Sequence, residues 1–403
     1  MKTTRRFFSL LILIAPMIIL ALAGKAAPRA AHNHYLALVG TYTNKTQSKG
    51  IYAFDFDSNT GKLTAKGVAA ETPDPSWVVI HPNGKFVYAA NESGKQSMVS
   101  SFALDPQSGK LTLLNQLPSG GEDPCHMSLD QDGKYLFVAN YTSGTVAVFP
   151  IQSNGKLGNP TNVVKDQGTL GPNKERQEGP HAHWVQSEAV GPMHALYVAD
   201  LGLDRVIQYH FEATTGKLSG PEVSSTHSNS NRRYDPSAKL APGTGPRHAV
   251  LDSAGQMYVL GELTSTVTAF NTMGKDDYVM SSFQQVAALP PSYKGRNDAA
   301  EIALHPSGKF LYTSNRGDDS IALFSVAKDG GGGELKFISA TPTGGKEPRH
   351  FAIDPTGHYL LAENQNSDTI NVFRINQSNG SLTPTGEVAH VPSPVCLMFY
   401  PAH

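Results

Sequence analysis

The segment Gly179-Pro180-His181-Ala182-His183-Trp184-Val185 sets two imidazoles one residue apart at the start of an apolar run. Side chains two apart on a β-strand point to the same side. The pair can therefore act as a catalytic base with a helper, as half of a metal site, or as two satisfied core histidines. Further along stand Arg247, Glu262 and Arg316. An arginine fork suits a carboxylate, a phosphate or a developing oxyanion, and a glutamate can orient an imidazole or guanidinium, or carry a proton itself. No serine in a nucleophile elbow, no Gly-rich phosphate loop and no paired cysteines compete with these residues.

The elements that must position them are legible in a repeat. HPNGKFVYAANES from His81 returns as DQDGKYLFVANYTS from Asp130, HPSGKFLYTSNRGD from His305 and DPTGHYLLAENQNS from Asp354, with a weaker copy, LDSAGQMYVLGELTS, from Leu251. A short strand opening on proline precedes the copies. Aligning the openings gives Pro75, Pro124, Pro180, Pro246, Pro348 and Pro394, with Ala299 in the remaining slot. The successive intervals of 49, 56, 66, 53, 49 and 46 residues fit four-stranded propeller blades and are too irregular for a helical solenoid. Within a repeat the period is two, as in Phe86, Tyr88 and Ala90, and turns such as Asn83-Gly84 and Asp132-Gly133 join the first strand to the second. The repeat from Pro394 has no outer strands after it, whereas residues 34–40 and 50–54 have no inner strand before them. Residues 35–403 are therefore predicted to form an all-β, seven-bladed β-propeller, closed by pairing of the C-terminal strand with the N-terminal strands. Such closure removes the free sheet edges.

In a propeller blade the innermost strand crosses from one face to the other and the second strand returns, so the start of strand one and the end of strand two share a face. The alignment places Cys125, His181, Arg247 and Arg349 directly after the prolines, with His126, His248, Glu301 and His350 one place later. At the end of strand two Asn91, Asn140, Asp200, Gly261, Asn315 and Asn364 correspond, followed by Glu92, Tyr141, Leu201, Glu262, Arg316 and Gln365. Long polar insertions, 159–178 and 221–244, reach the same face, where binding sites tend to gather. The recurring Asn91 and Asn140 read as turn chemistry. His181, His183, Arg247, Glu262 and Arg316 instead break the pattern of their own repeats, and such departures point to function. His248, Asn315, Arg349 and His350 are expected to contact substrate on the same face.

A formal net charge of −1 leaves no basic footprint for nucleic acid, so a small molecule is the expected partner. Residues 1–34 read as an export signal and short linker: Lys2, Arg5 and Arg6 precede an apolar run from Phe7 to Ala23 and then small residues. Thr4-Arg5-Arg6-Phe7-Phe8 also fits a twin-arginine signal, and an uncleaved anchor is the alternative. The body is expected outside the cytoplasm, in the periplasm or medium, with no stable membrane partner after cleavage. Cys125 and Cys396 are too few and too far apart for a disulfide framework and predict two buried thiols.

The chain from about Tyr35 onward resembles the seven-bladed propeller lactonases, a group that includes bacterial 6-phosphogluconolactonase and the fungal enzyme that interconverts carboxymuconate and its lactone. The resemblance is carried by Val39-Gly40-Thr41-Tyr42-Thr43, Gly179-Pro180-His181-Ala182-His183, residues 198–205 (VADLGLDR), Gly245-Pro246-Arg247-His248, Gly261-Glu262-Leu263, Ser314-Asn315-Arg316-Gly317 and Glu347-Pro348-Arg349-His350. It implies a site at the channel mouth, free of metal and cofactor, built from a histidine, a glutamate and two arginines. These fall on His181 or His183, Glu262, Arg247 and Arg316. Gly261 departs from the pattern, which leads one to expect asparagine beside the glutamate. The implied reaction is hydrolysis of a sugar or carboxylated lactone, with an imidazole activating water and arginines meeting the oxyanion and any anionic group. Three alternatives stand beside it: a non-catalytic exported propeller that binds carbohydrate or protein, a cycloisomerase that forms or opens a muconolactone-type ring, and a metal-dependent hydrolase that uses the histidine pair.

Overall fold

The computed structural model describes residues 33–190, 193–220, 237–272, 280–327 and 332–401. The expected export signal lies outside these residues. Among those described, seven antiparallel sheets follow one another as blades, six made of consecutive strands. Blade two comprises Pro75–Ile80, Phe86–Asn91, Met98–Leu104 and Leu111–Pro118, counted outward from the channel. Blades three to seven open with the inner strands Pro124–Leu129, Ala182–Val190, Pro246–Leu251, Ala299–Leu304 and Pro348–Ile353. Blade one is the exception and closes the ring. Its inner strand, Pro394–Pro401, pairs antiparallel with His34–Thr41, which is followed outward by Gly50–Asp57 and Lys62–Glu71. Closure thus takes the form that the incomplete end repeats predict.

Each blade packs a neighbour on both faces, so middle strands are buried on both sides and read as near-continuous apolar runs. Tyr359–Asn364 (YLLAEN) is buried along its whole length. The outermost strands face water on one side and alternate, as in Leu111–Pro118. Apolar clusters fill the seams: Phe137, Val146, Val198 and Ile207 between blades three and four, and Tyr258, Val267, Leu311 and Phe324 between blades five and six. A buried tyrosine on the second strand latches each of four seams. The hydroxyls of Tyr88, Tyr258, Tyr312 and Tyr359 donate to Gly155, Gly333, Gly380 and Asn59 carbonyls in the outer turn of the following blade, at 2.7 to 3.2 Å. Such a bond satisfies a phenol that packing would otherwise strand in an apolar seam.

Both cysteines are buried free thiols, as expected. Part of the 159–178 stretch that reads as insertion is instead the outermost strand of blade three, Asn162–Lys165. Much of the second insertion, 221–236, lies outside the described residues; its end, Ala238–Lys239, adds a short strand to blade four. No described helix is long and apolar enough to cross a membrane.

Candidate active site

Two repeated backbone devices aim side chains at one mouth of the channel. The first is a bulge near the start of each inner strand. In blade five Pro246 pairs with Gly261 and His248 with Leu260, which leaves Arg247 unpaired; Ser76, Cys125, His183 and Arg349 hold the same place in their blades. A bulge releases a residue from the ladder and re-aims its side chain. Here the released side chains meet: Cys125 Sγ lies 3.6 Å from His183 Nδ1, and Arg247 Nη1 hydrogen-bonds His183 Nε2.

The second device is a turn. The carbonyl of the residue before each inner strand receives the N–H of the first residue after strand two. Asp74, Asp123, His181, Gly245, Asp298, Glu347 and Ser393 in this way accept from Glu92, Tyr141, Leu201, Glu262, Arg316, Gln365 and Tyr42, at 2.8 to 3.2 Å. The seven donors form a ring around the mouth, above the bulge residues.

This register corrects the alignment in blade four. Ala182, not Pro180, occupies the place of the opening prolines, because Ala182 pairs with Asp200 as Pro246 pairs with Gly261. His181 is therefore the turn residue, and His183 is the counterpart of Arg247 and Arg349. Both imidazoles nonetheless pack against the Tyr141 ring, His183 edge-on at 5.2 Å. His181 Nδ1 lies 3.0 Å from the Tyr141 carbonyl and Nε2 lies 3.2 Å from Glu178 Oε1, with the ring stacked on Tyr141 at 4.5 Å. Gly202 permits this course: a Cβ there would meet the Gly179 carbonyl oxygen at 1.8 Å and His181 Cδ2 at 3.1 Å. The ring nitrogens of the pair are engaged by different partners, those of His181 by Tyr141 and Glu178 and those of His183 by Cys125 and Arg247. Among the described residues no group of three or more His, Cys, Asp or Glu side chains is arranged to hold a metal.

Glu262 is the hub. Its Oε2 lies 3.2 Å from Arg247 Nη1, 3.1 Å from Arg316 Nη2 and 4.0 Å from His183 Nε2. Its Oε1 accepts a hydrogen bond from Arg176 Nη2. The Arg247 and Arg316 Nε–H groups are anchored on the Ala300 and Asp298 carbonyls at 2.9 and 3.0 Å, which fixes both forks. Burial would raise the Glu262 carboxyl, but Arg316, Arg247 and Arg176 outweigh it and hold the group well below the usual carboxylate range. Burial brings Arg247 down to about 10, against the pull of Glu262 and with the push of Arg349 and Arg316, so it remains a cation at neutral pH. Burial, reinforced by Arg247, keeps His183 well below the ordinary imidazole value and hence neutral. A neutral His183 can accept the Arg247 N–H at Nε2.

Arg176 is the member that the repeat cannot reveal. It comes from the part of the 159–178 segment that follows the outermost strand Asn162–Lys165, and the sole signal for it is an arginine in a long insertion on the correct face. It also approaches Tyr141 Oη at 3.4 Å and Asp298 Oδ1 at 3.7 Å. Gly261 is explained by space: a Cβ there would meet Thr244 Cγ2 at 2.4 Å, so the Thr244 side chain fills the room an asparagine would need.

The other candidates divide. Arg349 belongs to the mouth, its guanidinium carbon 5.3 Å from the Tyr42 ring centroid, and Tyr42 Oη donates to Glu92 Oε2 at 2.8 Å. His248 and His350 lie one layer deeper, both buried, on the carboxylate of Glu301: His248 Nδ1 at 2.9 Å and His350 Nε2 at 3.6 Å from Oε2. His350 Nδ1 also meets Glu363 Oε2 at 2.7 Å. Burial opposes charge on His350, but Glu301 and Glu363 outweigh it and raise its pKa. Asn315 is fully buried and ties down a loop: its Nδ2 donates to the Ala288 carbonyl at 2.9 Å and its Oδ1 accepts from Asn297 at 3.1 Å. Asn91 and Asn140 do the same for Pro73 and Ser119, the turn chemistry expected of them.

Residues 36–399 match the family described as lactonase, 7-bladed β-propeller. The chain is 35% identical over 370 residues to 6-phosphogluconolactonase of Bacillus subtilis, across 91% of this chain and 98% of that protein. It is 32% identical over 318 residues to 6-phosphogluconolactonase of Formosa agariphila, across 78% and 84%. Among solved structures it resembles the periplasmic gluconolactonase of Pseudomonas aeruginosa, with a TM-score of 0.81 and 32% identity over 92% of this chain and all of that one.

Proposed function

Because the chain belongs to the seven-bladed β-propeller lactonase family, we propose that it is a lactone hydrolase whose chemistry is carried out at the mouth by His183, Arg247, Glu262, Arg316 and Arg349. The observation that carries this reading is the ionised Glu262 shared by three guanidinium groups, with a neutral imidazole 4.0 Å from the Oε2 that Arg247 and Arg316 approach. A substrate whose ester oxygens lie among Arg247, Arg316 and Arg349 competes with Glu262 for the N–H groups of Arg247 and Arg316. As Arg247 turns to the substrate it leaves His183 Nε2 free to take a proton from water.

The water oxygen attacks the carbonyl carbon, and the carbonyl oxygen becomes an oxyanion held by the arginine forks. Collapse breaks the bond between the carbonyl carbon and the ring oxygen. The imidazolium then returns its proton to the departing alkoxide, giving a hydroxy acid. Burial and Arg247 make imidazolium costly at this position, which favours the return step. Glu262 stays ionised throughout, orients the arginines and balances the imidazolium; its depressed pKa argues against a role as proton donor. His181 fixes the Tyr141 segment, and His248 and His350 support the layer beneath.

Residues 1–34 are proposed as an export signal and linker. The periplasmic location in the name of the Pseudomonas relative supports this reading. The test of function is proton release in a pH-stat over a panel of sugar and carboxylated lactones, with wild type and Arg316→Ala. Wild type should exceed the spontaneous rate on at least one lactone, and the variant should lose about 100-fold or more in kcat/KM, as for one charge-stabilising donor. No turnover on the panel, or an unaffected folded variant, would refute the proposal and favour a binding protein.

A further inference from the structure

Beside the arginine cluster the mouth opens into a cavity of about 650 Å³ over blades one, two and seven. That is within the ~300–1,000 Å³ of small-molecule sites. It continues the same ring: after Glu262 and Arg316, the next three members are Gln365, Tyr42 and Glu92, and all three line it. Arg349 lies over the Tyr42 ring and so joins the two regions.

The two halves of the mouth differ in charge. Over blades five and six, Arg176, Arg247 and Arg316 surround one carboxylate. In the cavity the order is reversed: Asp74, Glu92 and Asp368 stand against one lining cation, Lys45, with Arg349 at the rim, and the rest of the lining is amide, hydroxyl and the Tyr42 phenol. Backbone N–H groups of Thr43 and Asn44 engage Asp74 Oδ1, and that of Ser393 engages Asp368 Oδ1. Glu92 accepts from Tyr42 Oη, and Gln365 Oε1 is buried without a hydrogen-bond partner. Asp74 and Asp368 are thus held by backbone donors, which leaves Glu92 and Gln365 Oε1 to meet donors that arrive from outside.

We propose that this cavity binds the uncharged, hydroxylated end of the substrate through Glu92 and Gln365, so that the enzyme selects an unphosphorylated sugar lactone over its phosphorylated counterpart. The inference rests on the lactone-hydrolase reading above. A sugar hydroxyl donates to a carboxylate or amide oxygen, whereas a phosphate dianion has no proton to offer and meets three carboxylates against Lys45 in the lining and Arg349 at its rim. A lactone lying across the mouth then places its carbonyl among the arginines and its polyol chain in the acidic half. The acid product, with one carboxylate and a row of hydroxyls, matches both halves at once.

The test is calorimetric titration of gluconate and 6-phosphogluconate into wild type, Glu92→Gln and Gln365→Lys, each checked by its melting midpoint, beside hydrolysis of gluconolactone by the same proteins. Wild type should bind gluconate at least about tenfold tighter than 6-phosphogluconate, a tenfold ratio being about 1.4 kcal/mol. Glu92→Gln should weaken gluconate about tenfold, and Gln365→Lys should move the preference about tenfold toward the phosphorylated acid. Equal or tighter binding of 6-phosphogluconate by wild type, no gluconate binding, or a preference unmoved in both folded variants would overturn the assignment. If the binding pattern holds and no lactone is hydrolysed, the cavity assignment stands and the enzymatic reading fails.

Discussion

Glu262→Gln is the perturbation that most directly probes the hub, because it keeps the side-chain volume and removes only the charge. The side chains of Glu262, Arg247 and Arg316 are 3%, 4% and 10% exposed, whereas Arg176 is 32% exposed. Arg176 can regain water, and its pair is in the range of a surface salt bridge, ~0.2–1 kcal/mol. Arg247 and Arg316 cannot. Removing one partner of a buried pair costs about 3–5 kcal/mol, because the other charge is left uncompensated. At ~2.1 cal/mol/K per residue, a propeller of about 370 residues unfolds with ~0.8 kcal/mol/K, so Tm should fall by about 4–6 °C.

The assay is thermal melting of wild type, Glu262→Gln, Arg247→Met and the double variant. The double variant should be less destabilised than the sum of the singles by ~1–3 kcal/mol, since Arg247→Met removes the cation that Glu262→Gln strands. The pH dependence follows from the direction of the shift. Glu262 titrates lower in the folded chain than its unfolded value of 4.5, so its contribution is fully present above that pH and is lost as pH falls toward the folded pKa. The gap between wild type and Glu262→Gln should therefore be constant from neutral pH to about 5 and shrink below about 4.5. Strict additivity, or a Tm within about one degree of wild type at pH 7, would refute the reasoning.

Two further outcomes are expected. Replacing His183 with Gln should lower kcat/KM by about 10²–10⁴-fold as loss of a general base, while His181→Gln, which acts through the Tyr141 segment, should cost less; the reverse order in folded variants of a lactone panel would exchange their roles. N-terminal sequencing of protein from its native host should begin beyond residue 23, and an intact Met1 in a cytoplasmic fraction would end the export proposal.

How far the sequence could be read depended on whether a residue belongs to the repeat. The prolines at 75, 124, 246, 348 and 394 and the Asn-Gly and Asp-Gly turns marked the blades because each blade solves the same packing problem with the same residues. Glu262 and Arg316 were found by counting within that repeat. Pro180 was a false landmark: it imitates the proline of its sister blades, but the strand begins two residues later, and only the pairing of Ala182 with Asp200 reveals the shift. Strand alternation also does not anticipate the bulge at His183, which releases that residue from the ladder. Asn315 shows the opposite limit: its position at the mouth is correct, but its amide is occupied by Ala288 and Asn297, which no local pattern signals.

The bulge has a consequence for how such a molecule can change over generations. A bulged residue makes no rung with the neighbouring strand, so Val395, Ser76, Cys125, His183, Arg247, Ala300 and Arg349 are seven sockets around one axis whose contents the sheet does not dictate. An ancestor built of identical blades would have shown seven copies of one side chain to the centre. A single codon in each blade is then enough to compose a new reactive centre, while every ladder that holds the ring is inherited unaltered. Ala300 and Val395 carry no polar side chain, and an imidazole or guanidinium introduced at either would enter the same central space from a new direction.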